Sequence, residues 1–129
     1  MSFFSKKRKR IYLRETDATG VLYFTELQRM ALEAFEDQFD LKKMLAEENF
    51  LLPIVHVEAD YKIPLRCGDE VEIFFTLTAG STSSLKVHYQ ILLEEKVAGE
   101  VRIIHVTVAK ETLTSIPLPE VLKELCAKA

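Results

Sequence analysis

The chain has 129 residues, 48% of them hydrophobic, which is enough for one domain with a packed core. A formal net charge of −3 with 29% charged residues argues against a protein that binds nucleic acid through a positive surface. No apolar stretch reaches the length of a membrane span. Two cysteines and three histidines show no metal-like spacing, so we expect free thiols, no metal and a cytoplasmic location.

The N-terminus carries a run of five basic residues, Lys6 to Arg10. Such runs bind phosphate-rich partners or act as targeting signals, but most are solvated tails. The apolar segment that follows is too short for the core of a signal peptide. We therefore predict a single domain over residues 1–129 in which residues 1–9 form a basic tail.

The first regular elements are a strand and a long helix. Apolar and polar residues alternate over residues 9–15, which predicts a strand with one covered face. Residues 25–28, TELQ, have the spacing of a capping box and start a helix. One apolar stripe follows on this helix, formed by Leu27, Met30, Ala31, Ala34 and Phe35. That stripe needs a sheet to cover it.

Four further alternating runs predict the rest of the sheet. A short helix is expected over residues 41–48, before Pro53 imposes an extended backbone. Turns are expected at residues 66–69, 80–84 and 94–95, and a C-terminal helix at about residues 119–127. The predicted strands cover residues 54–63, 71–77, 85–93 and 97–108. The order of one strand, one long helix and four strands favours an α+β fold with a mostly antiparallel sheet.

The chemistry is expected at the start of the main helix. Asp17 lies among Thr16, Ala18, Thr19 and Gly20, small residues that permit a tight turn and leave room for a ligand. The first N–H groups of a helix are unpaired and carry partial positive charge, which suits a developing oxyanion. The alternative is that Asp17 only supports the turn or the cap.

Several stretches carry a resemblance to a known family. The segment TDATGVLYF resembles the signature of hotdog-fold acyl-CoA thioesterases of the 4-hydroxybenzoyl-CoA thioesterase type, in which an acid precedes the long central helix. PIVHVEADYKIPLRCGDEV and PLPEVL are also similar to that family, over a resemblance that runs from Arg10 to about Leu118. PIVHVEAD with LYFTEL is most similar to the subgroup that hydrolyses 1,4-dihydroxy-2-naphthoyl-CoA.

The resemblance implies a hotdog fold, with a five-stranded antiparallel sheet wrapped around one long helix, and a catalytic turn. Asp17, in the turn that contains Gly20, would be the catalytic carboxylate, and the backbone N–H of Phe24 would polarise the thioester carbonyl. The carboxylate would act either as nucleophile or as base for water. No metal or cofactor is implied, because CoA belongs to the substrate.

Substrate contacts are expected around this turn and on the sheet. Leu22, Tyr23 and Phe24 would wall an apolar acyl pocket, although core packing is the commoner role of such residues. Glu26 would contact substrate or cap the helix, and His56 would contact substrate or lie on the surface. The candidates for the CoA phosphates are Arg66, Lys86, Arg102 and the turn Ser81–Ser84.

Assembly and specificity can also be predicted. One helix covers only one face of the sheet and the edge strands invite pairing, so we expect at least a homodimer. The resemblance implies a dimer or tetramer with active sites between subunits, in which Asp17 and its basic CoA contacts come from different chains. Many relatives carry a histidine, an asparagine and an aromatic residue where this chain has Phe24, Glu26 and Leu27. We expect hydrolysis of an aromatic or medium acyl-CoA, with no nucleic acid or membrane partner. The alternative is a non-catalytic module that binds acyl-CoA or acyl-carrier protein.

Overall fold

The computed structural model describes residues 5–128, which form three α-helices and seven strands. The elements are β1 (Ser5–Arg10), a 3-10 turn (Leu13–Glu15), α1 (Glu26–Gln38), α2 (Leu41–Glu48), β2 (Phe50–Leu51), β3 (Ile54–Tyr61), β4 (Glu70–Ser81), β5 (Ser84–Leu93), β6 (Lys96–Val106), β7 (Val108–Ala109) and α3 (Glu120–Lys128).

Five of the strands form one antiparallel sheet in the order β1-β4-β5-β6-β3. The short strands β2 and β7 pair separately. β1 and β3 are therefore the two edges of the main sheet, and hairpin connections join β4 to β5 and β5 to β6. This arrangement confirms the predicted α+β fold with a five-stranded antiparallel sheet.

The core lies between α1 and one face of the sheet, called here the inner face. The predicted helix stripe from Leu27 to Phe35 is buried, as expected. Alternate residues of the central strands point toward it, because successive side chains of a strand face opposite ways. The buried inner-face residues are Val71, Ile73, Phe75, Leu77, Leu85, Val87, Tyr89, Ile91, Val101 and Ile103. The ring of Phe35 lies 5.9 Å from that of Phe75, centroid to centroid.

The prediction for the N-terminal segment is wrong in two respects. The basic run is the edge strand β1, paired with β4, whereas residues 13–15 form a 3-10 turn. The expected tail is thus a strand from Ser5 onward, and residues 1–4 of that tail lie outside the described residues. β1 can pair with β4 although it is rich in lysine and arginine, because acidic side chains neutralise part of its charge. Lys6 pairs with Glu72 at 2.8 Å, and Lys7 pairs with Asp37.

The helix starts where it was predicted, but the capping box does not form. α1 begins at Glu26, and the Thr25 side chain makes no capping hydrogen bond because its backbone is already helical. The short helix α2 has the predicted bounds, and Asp40 caps it by accepting a hydrogen bond from the Lys43 N–H. Within residues 5–128, no helix is long and apolar enough to span a membrane.

Candidate active site

The candidate acid lies at the tip of a small hairpin between the 3-10 turn and α1. Thr16 pairs with Leu22 across this hairpin, and the Asp17 N–H donates to the Val21 carbonyl at 2.8 Å. The Gly20 N–H closes the turn by donating to the Asp17 carbonyl at 3.0 Å. Gly20 has φ +80°, a conformation that favours glycine, so the sequence at this position shapes the turn. We name residues 16–22 the acid hairpin.

The Asp17 carboxylate is exposed and is held by its own turn. Its Oδ1 accepts hydrogen bonds from the Thr19 hydroxyl at 2.6 Å and from the Thr19 N–H at 2.8 Å. These bonds, the hydroxyl first, lower the pKa of Asp17 below its ordinary value, with a smaller contribution from the Val21 N–H. The carboxylate is therefore charged at neutral pH, which both a nucleophile and a base require.

The start of α1 presents a donor close to the acid hairpin. Phe24 and Tyr23 are exposed just before the helix, with their ring centroids 4.9 Å apart. The Tyr23 N–H donates to the Glu15 carbonyl, and no residue in the described range 5–128 accepts the N–H of Phe24. The sequence-predicted oxyanion donor is thus available at a helix N-terminus, where partial positive charge accumulates.

Tyr61, at the end of β3, ties the edge of the sheet to this helix start. Its hydroxyl donates to the carbonyl of Phe24, and the Gln28 side chain lies 3.2 Å from the same hydroxyl. The carbonyl bond orients the peptide that follows Phe24. Periodicity placed Tyr61 on a strand face, but nothing local in the sequence indicated a contact across 37 residues.

An apolar pocket of about 310 Å³ opens beside the acid hairpin on the β3 side of α1. This volume falls in the range of small-molecule sites. The lining residues are Val21, Leu22, Leu27, Tyr61, Lys62, Ile63, Pro64, Leu65 and Ala98. Leu22, which was predicted to contact the acyl group, is one of these lining residues. We name this cavity the acyl pocket, after the role proposed for it below.

A glycine on β6 allows α1 to approach the sheet at the acyl pocket. Gly99 lies opposite Tyr61 in the β3–β6 register. A Cβ on Gly99 would lie 2.9 Å from Cδ2 of Leu27 and 3.3 Å from the Asp60 carbonyl oxygen. Contacts this short require a neighbour to move, so the absence of a side chain at Gly99 sets the position of Leu27 in the pocket wall.

The acid hairpin is supported from behind by a nearly buried ion pair. Glu15 is 5% exposed, and its carboxylate receives the Lys9 ammonium at 2.9 Å and the Tyr12 N–H at 2.9 Å. Although burial raises the pKa of Glu15, the hydrogen bonds from Tyr12 and Lys9 outweigh it, and the pKa is lowered overall. The Lys9–Glu15 pair therefore joins β1 to the residue that precedes the acid hairpin.

Two further predicted residues lie near the hairpin. Arg66 pairs with Val21 in an isolated bridge, and the Leu22 N–H donates to the Leu65 carbonyl at 2.7 Å. Arg66 is exposed there. Glu26 lies in the first turn of α1, where its carboxylate meets the Arg29 guanidinium at 3.2 Å.

Three other predicted residues gather elsewhere, on the face of the sheet opposite α1, called here the outer face. Ile104 of β6 pairs with His56 of β3 on one side and with Lys86 of β5 on the other, and all three side chains lie on the outer face. Arg102 lies there too, 3.1 Å from Asp60. The sheet separates this group from α1 within one chain, so His56, Lys86 and Arg102 do not join the acid hairpin of their own chain.

The predicted turn of CoA donors is also remote from the acid. Ser81–Ser84 closes the β4–β5 hairpin, at the opposite end of β4 from Arg66. Twelve strand residues separate the two ends, roughly 35 Å of extended chain. The Ser83 carbonyl of this turn accepts a hydrogen bond from the Thr107 N–H at 2.9 Å. Part of the turn is therefore engaged by the segment that follows β6.

The described residues include no group of three or more His, Cys, Asp or Glu side chains arranged to hold a metal ion. Cys67 is exposed and Cys126 is half-buried, and both are free thiols. Burial raises the pKa of the Cys126 thiol, which lowers its reactivity.

Comparison with known proteins shows which family the chain resembles. Residues 11–125 match the thioesterase-like superfamily. A 1,4-dihydroxy-2-naphthoyl-CoA hydrolase of Microcystis aeruginosa is 37% identical over 118 residues, covering 88% of this chain and 86% of the relative. The hydrolase of the same name from Synechococcus elongatus is 33% identical, covering 85% of each chain.

A solved structure shows the same fold. The crystal structure of a 1,4-dihydroxy-2-naphthoyl-CoA thioesterase from Synechocystis superposes with a TM-score of 0.86 at 27% identity, covering 95% of this chain and 94% of that one. The family match, the relatives and the fold together confirm the resemblance to hotdog-fold thioesterases. The chain therefore belongs to the thioesterase-like superfamily and is a thioesterase with the hotdog fold.

Proposed function

We propose that this thioesterase hydrolyses CoA thioesters of aromatic or medium-length acids, with Asp17 as the catalytic carboxylate and the Phe24 N–H as the oxyanion donor. One observation carries the proposal: the acid hairpin holds the ionised Asp17 and, through Val21 and Leu22, lines the acyl pocket, and it leads directly into the helix start, where no residue of the range 5–128 accepts the Phe24 N–H. Relatives that share 30–37% identity over most of the chain bear the names of CoA thioester hydrolases, which supports the same class of substrate.

Two routes are open for the chemistry at this site. In one, Asp17 attacks the thioester carbonyl, expels the CoA thiolate and forms an anhydride that water opens. In the other, Asp17 takes a proton from a water molecule that attacks the carbonyl directly. Both routes place negative charge on the carbonyl oxygen, where the Phe24 N–H and the helix N-terminus stabilise it. We propose that neither route requires a metal or a cofactor, so activity should survive treatment with EDTA.

The acyl pocket favours an aromatic acyl group over a small polar one. Its walls are mainly aliphatic, and the exposed rings of Tyr23 and Phe24 directly follow the acid hairpin in the chain. The names of the relatives make 1,4-dihydroxy-2-naphthoyl-CoA the specific candidate. Phe24 and Glu26 replace the histidine and asparagine of many relatives. These changes remove side chains that could form hydrogen bonds with a hydroxyl group on the aromatic ring. We therefore expect broad selectivity, because apolar pockets discriminate a methylene by only about 1–3 kcal/mol.

The exposed sheet edge supports assembly into at least a homodimer. β3 pairs with β6 on one side only, and apolar side chains remain exposed along it. Val55, Val57 and Tyr61 retain 59%, 43% and 53% of their surface. An edge strand with such side chains is suited to pairing with a second copy. Because Tyr61 also lines the acyl pocket, the partner would complete that pocket. Sedimentation at micromolar concentration should show a dimer or tetramer, whereas an active monomer would contradict this.

The function is tested by a hydrolysis screen with a thiol reporter. The substrates are benzoyl-CoA, 1,4-dihydroxy-2-naphthoyl-CoA and aliphatic acyl-CoAs from acetyl to decanoyl, compared by kcat/KM. Hydrolysis with a preference for aromatic acyl groups is the expected result. A preference for acetyl-CoA with aromatic thioesters untouched would refute the aromatic assignment alone.

The catalytic role of Asp17 is tested by Asp17→Asn, which keeps the shape of the side chain and removes its charge. Turnover should fall at least about a hundredfold, the cost of losing a general base or nucleophile. Asp40→Asn is the matched control, because asparagine also caps a helix and Asp40 caps α2 far from the acid hairpin. Binding of acyl-CoA without hydrolysis by the parent protein would favour a non-catalytic acyl-CoA module.

A further inference from the structure

Residues 61–65, at the end of β3 and just after it, contact both halves of the candidate site. The Tyr61 hydroxyl donates to the Phe24 carbonyl at the start of α1. Further along the same segment, the Leu65 carbonyl accepts the Leu22 N–H of the acid hairpin at 2.7 Å. One short segment is therefore hydrogen-bonded both to the hairpin that carries the acid and to the helix start that carries the proposed oxyanion donor.

This segment is itself fixed to the sheet. The N–H groups of Lys62 and Ile63 both donate to the Ala98 carbonyl, at 2.9 and 3.0 Å. Tyr61 pairs with Gly99 in the β3–β6 register. β6 is an inner strand, with β5 on its other side. The segment therefore keeps the position of the sheet and can hold the acid hairpin and the helix start at a fixed separation.

The peptide groups next to Phe24 are held by three hydrogen bonds. The Tyr23 N–H donates to the Glu15 carbonyl at 2.9 Å, and the Tyr23 carbonyl accepts the Glu26 N–H at 2.9 Å. The Phe24 carbonyl accepts the Tyr61 hydroxyl. Of these three bonds, only the one from Tyr61 comes from the main sheet, because Glu15 lies in the 3-10 turn and Glu26 begins α1.

Gln28 also contacts the Phe24 carbonyl, but it does not tie it to the sheet. In the amide orientation that satisfies both polar atoms of Gln28, its nitrogen donates to the Phe24 carbonyl at 2.8 Å and to the Thr25 carbonyl at 3.0 Å. Gln28 belongs to α1, so these bonds move with the helix. Phe24 is 59% exposed, so burial in the core does not fix its backbone either.

We infer that Tyr61 is a positioning residue for hydrolysis: its hydroxyl holds the Phe24 backbone so that the Phe24 N–H keeps a fixed distance and direction relative to Asp17. The inference rests on the proposed function, in which that N–H stabilises the oxyanion. A donor contributes most when it is already oriented before the negative charge develops. Because that charge develops only in the transition state, loss of the orientation lowers kcat and leaves substrate binding unchanged.

Tyr61 also lines the acyl pocket, so its hydroxyl has a rival role as a direct contact to the acyl group. Loss of a direct contact would raise KM or would affect only acyl groups that carry a hydroxyl. A positioning residue acts on the carbonyl that all thioesters share. Its loss should therefore lower kcat by the same factor for every acyl group.

Tyr61→Phe tests the inference, because it keeps the ring in the acyl pocket and removes the hydroxyl. We expect kcat to fall about tenfold, the upper range of what one hydrogen bond contributes, with KM unchanged. The fall should be the same for benzoyl-CoA, 1,4-dihydroxy-2-naphthoyl-CoA and decanoyl-CoA. Tyr89→Phe is the matched control: it removes a buried hydroxyl that has no hydrogen-bond partner among the described residues, so kcat should not change.

Infrared spectroscopy gives a readout that does not depend on turnover. Benzoyl-CoA with an isotope-labelled thioester carbonyl is added to Asp17→Asn and to the double variant Asp17→Asn/Tyr61→Phe. A well-oriented oxyanion donor polarises the bound carbonyl and lowers its stretching frequency. We expect a lower frequency in the single variant than in the double variant.

Three kinetic results would overturn the inference while leaving the proposed function standing. They are an unchanged kcat in Tyr61→Phe, a rise in KM at unchanged kcat, and a loss confined to the hydroxylated acyl group. Equal carbonyl frequencies in the two infrared samples would overturn it as well. If the parent protein hydrolyses no thioester, the proposed function fails instead. The carbonyl frequencies with the parent and with Tyr61→Phe then decide: a lower frequency in the parent supports the role of Tyr61, and equal frequencies overturn it.

Discussion

The ammonium of Lys9 and the carboxylate of Glu15 form an ion pair at 2.9 Å directly behind the acid hairpin. Only 15% of the Lys9 side chain and 6% of the Glu15 side chain are exposed. The Glu15 carbonyl also accepts the Tyr23 N–H at 2.9 Å, so one residue joins β1 to both sides of the hairpin. The position of the candidate acid thus depends on the strand that the sequence pattern missed.

The first prediction concerns Glu15→Gln. It leaves Lys9 without its counter-charge, and we expect the free energy of unfolding to fall by about 2–3 kcal/mol, somewhat less than for a fully buried pair. Turnover should fall as well, because the hairpin loses its anchor. Urea unfolding and kcat measure the two effects. The double variant Lys9→Met/Glu15→Gln should recover stability, since removing both charges leaves neither unpaired. No recovery would contradict the ion-pair explanation.

The second prediction concerns the pH dependence of kcat/KM. Hydrogen bonds from Thr19 lower the pKa of Asp17, so activity should persist to a lower pH than an ordinary aspartate would allow. Thr19→Val removes the hydroxyl that lies 2.6 Å from Oδ1 and keeps the backbone N–H. The pKa of Asp17 should then rise, and the acid limb of the profile should move to higher pH. Thr112→Val, in a remote turn, should leave the profile unchanged. An unmoved acid limb in Thr19→Val would show that another group sets it.

Much of the fold could be predicted because its elements carry local patterns. The stripe of α1 and the alternation of β4 to β6 reflect burial against one core, and the bounds of α2 were predicted to the residue. β1 was missed because its side chains are cations rather than apolar residues. Its pairing depends on acidic residues of β4 and α1, such as Glu72 and Asp37, which lie far away in sequence.

In the candidate site, too, local features could be predicted from the sequence and contacts between distant residues could not. The acid hairpin was predictable because small residues around Asp17 and a helix start are local signals. The contact from Tyr61 to Phe24 was not, because it depends on the β3–β6 register that places Tyr61 opposite Gly99. The expected phosphate contacts were chosen by residue type alone. Two of them, Lys86 and Arg102, lie on the outer face because strand parity places them there.

The third prediction is that Gly99→Ala changes acyl selectivity. The added Cβ would lie 2.9 Å from Leu27 Cδ2, so Leu27 must move within the acyl pocket. Overpacking of this kind costs about 1–3 kcal/mol of stability. We expect kcat/KM for aromatic acyl-CoA to fall more than that for short aliphatic acyl-CoA. Gly80→Ala is the control: its Cβ would also crowd a neighbour, Ser84 Oγ at 2.6 Å, but at the far end of β4. Identical effects of the two substitutions on selectivity would refute the role of Gly99.

The last prediction concerns stability at acid pH and His105. This side chain is 4% exposed on the inner face, where it stacks on Phe35 with centroids 5.8 Å apart. Its Nδ1 lies 3.1 Å from the Leu52 carbonyl, and no described residue is a hydrogen-bond partner of Nε2. Burial lowers the pKa of His105, and the Leu52 carbonyl offsets this only in part.

Because the folded chain binds this proton less readily than the unfolded chain, the free energy of unfolding should be highest above the ordinary histidine pKa of about 6.5 and should fall as the pH drops below it. His105→Gln cannot titrate, yet its amide can donate to the Leu52 carbonyl. Urea unfolding between about pH 7.5 and pH 5.5 should therefore show a smaller loss of stability in His105→Gln than in the parent. His56→Gln, which replaces an exposed histidine, should keep the parent's pH dependence. If His105→Gln loses stability over this range as steeply as the parent, the acid sensitivity arises from another group.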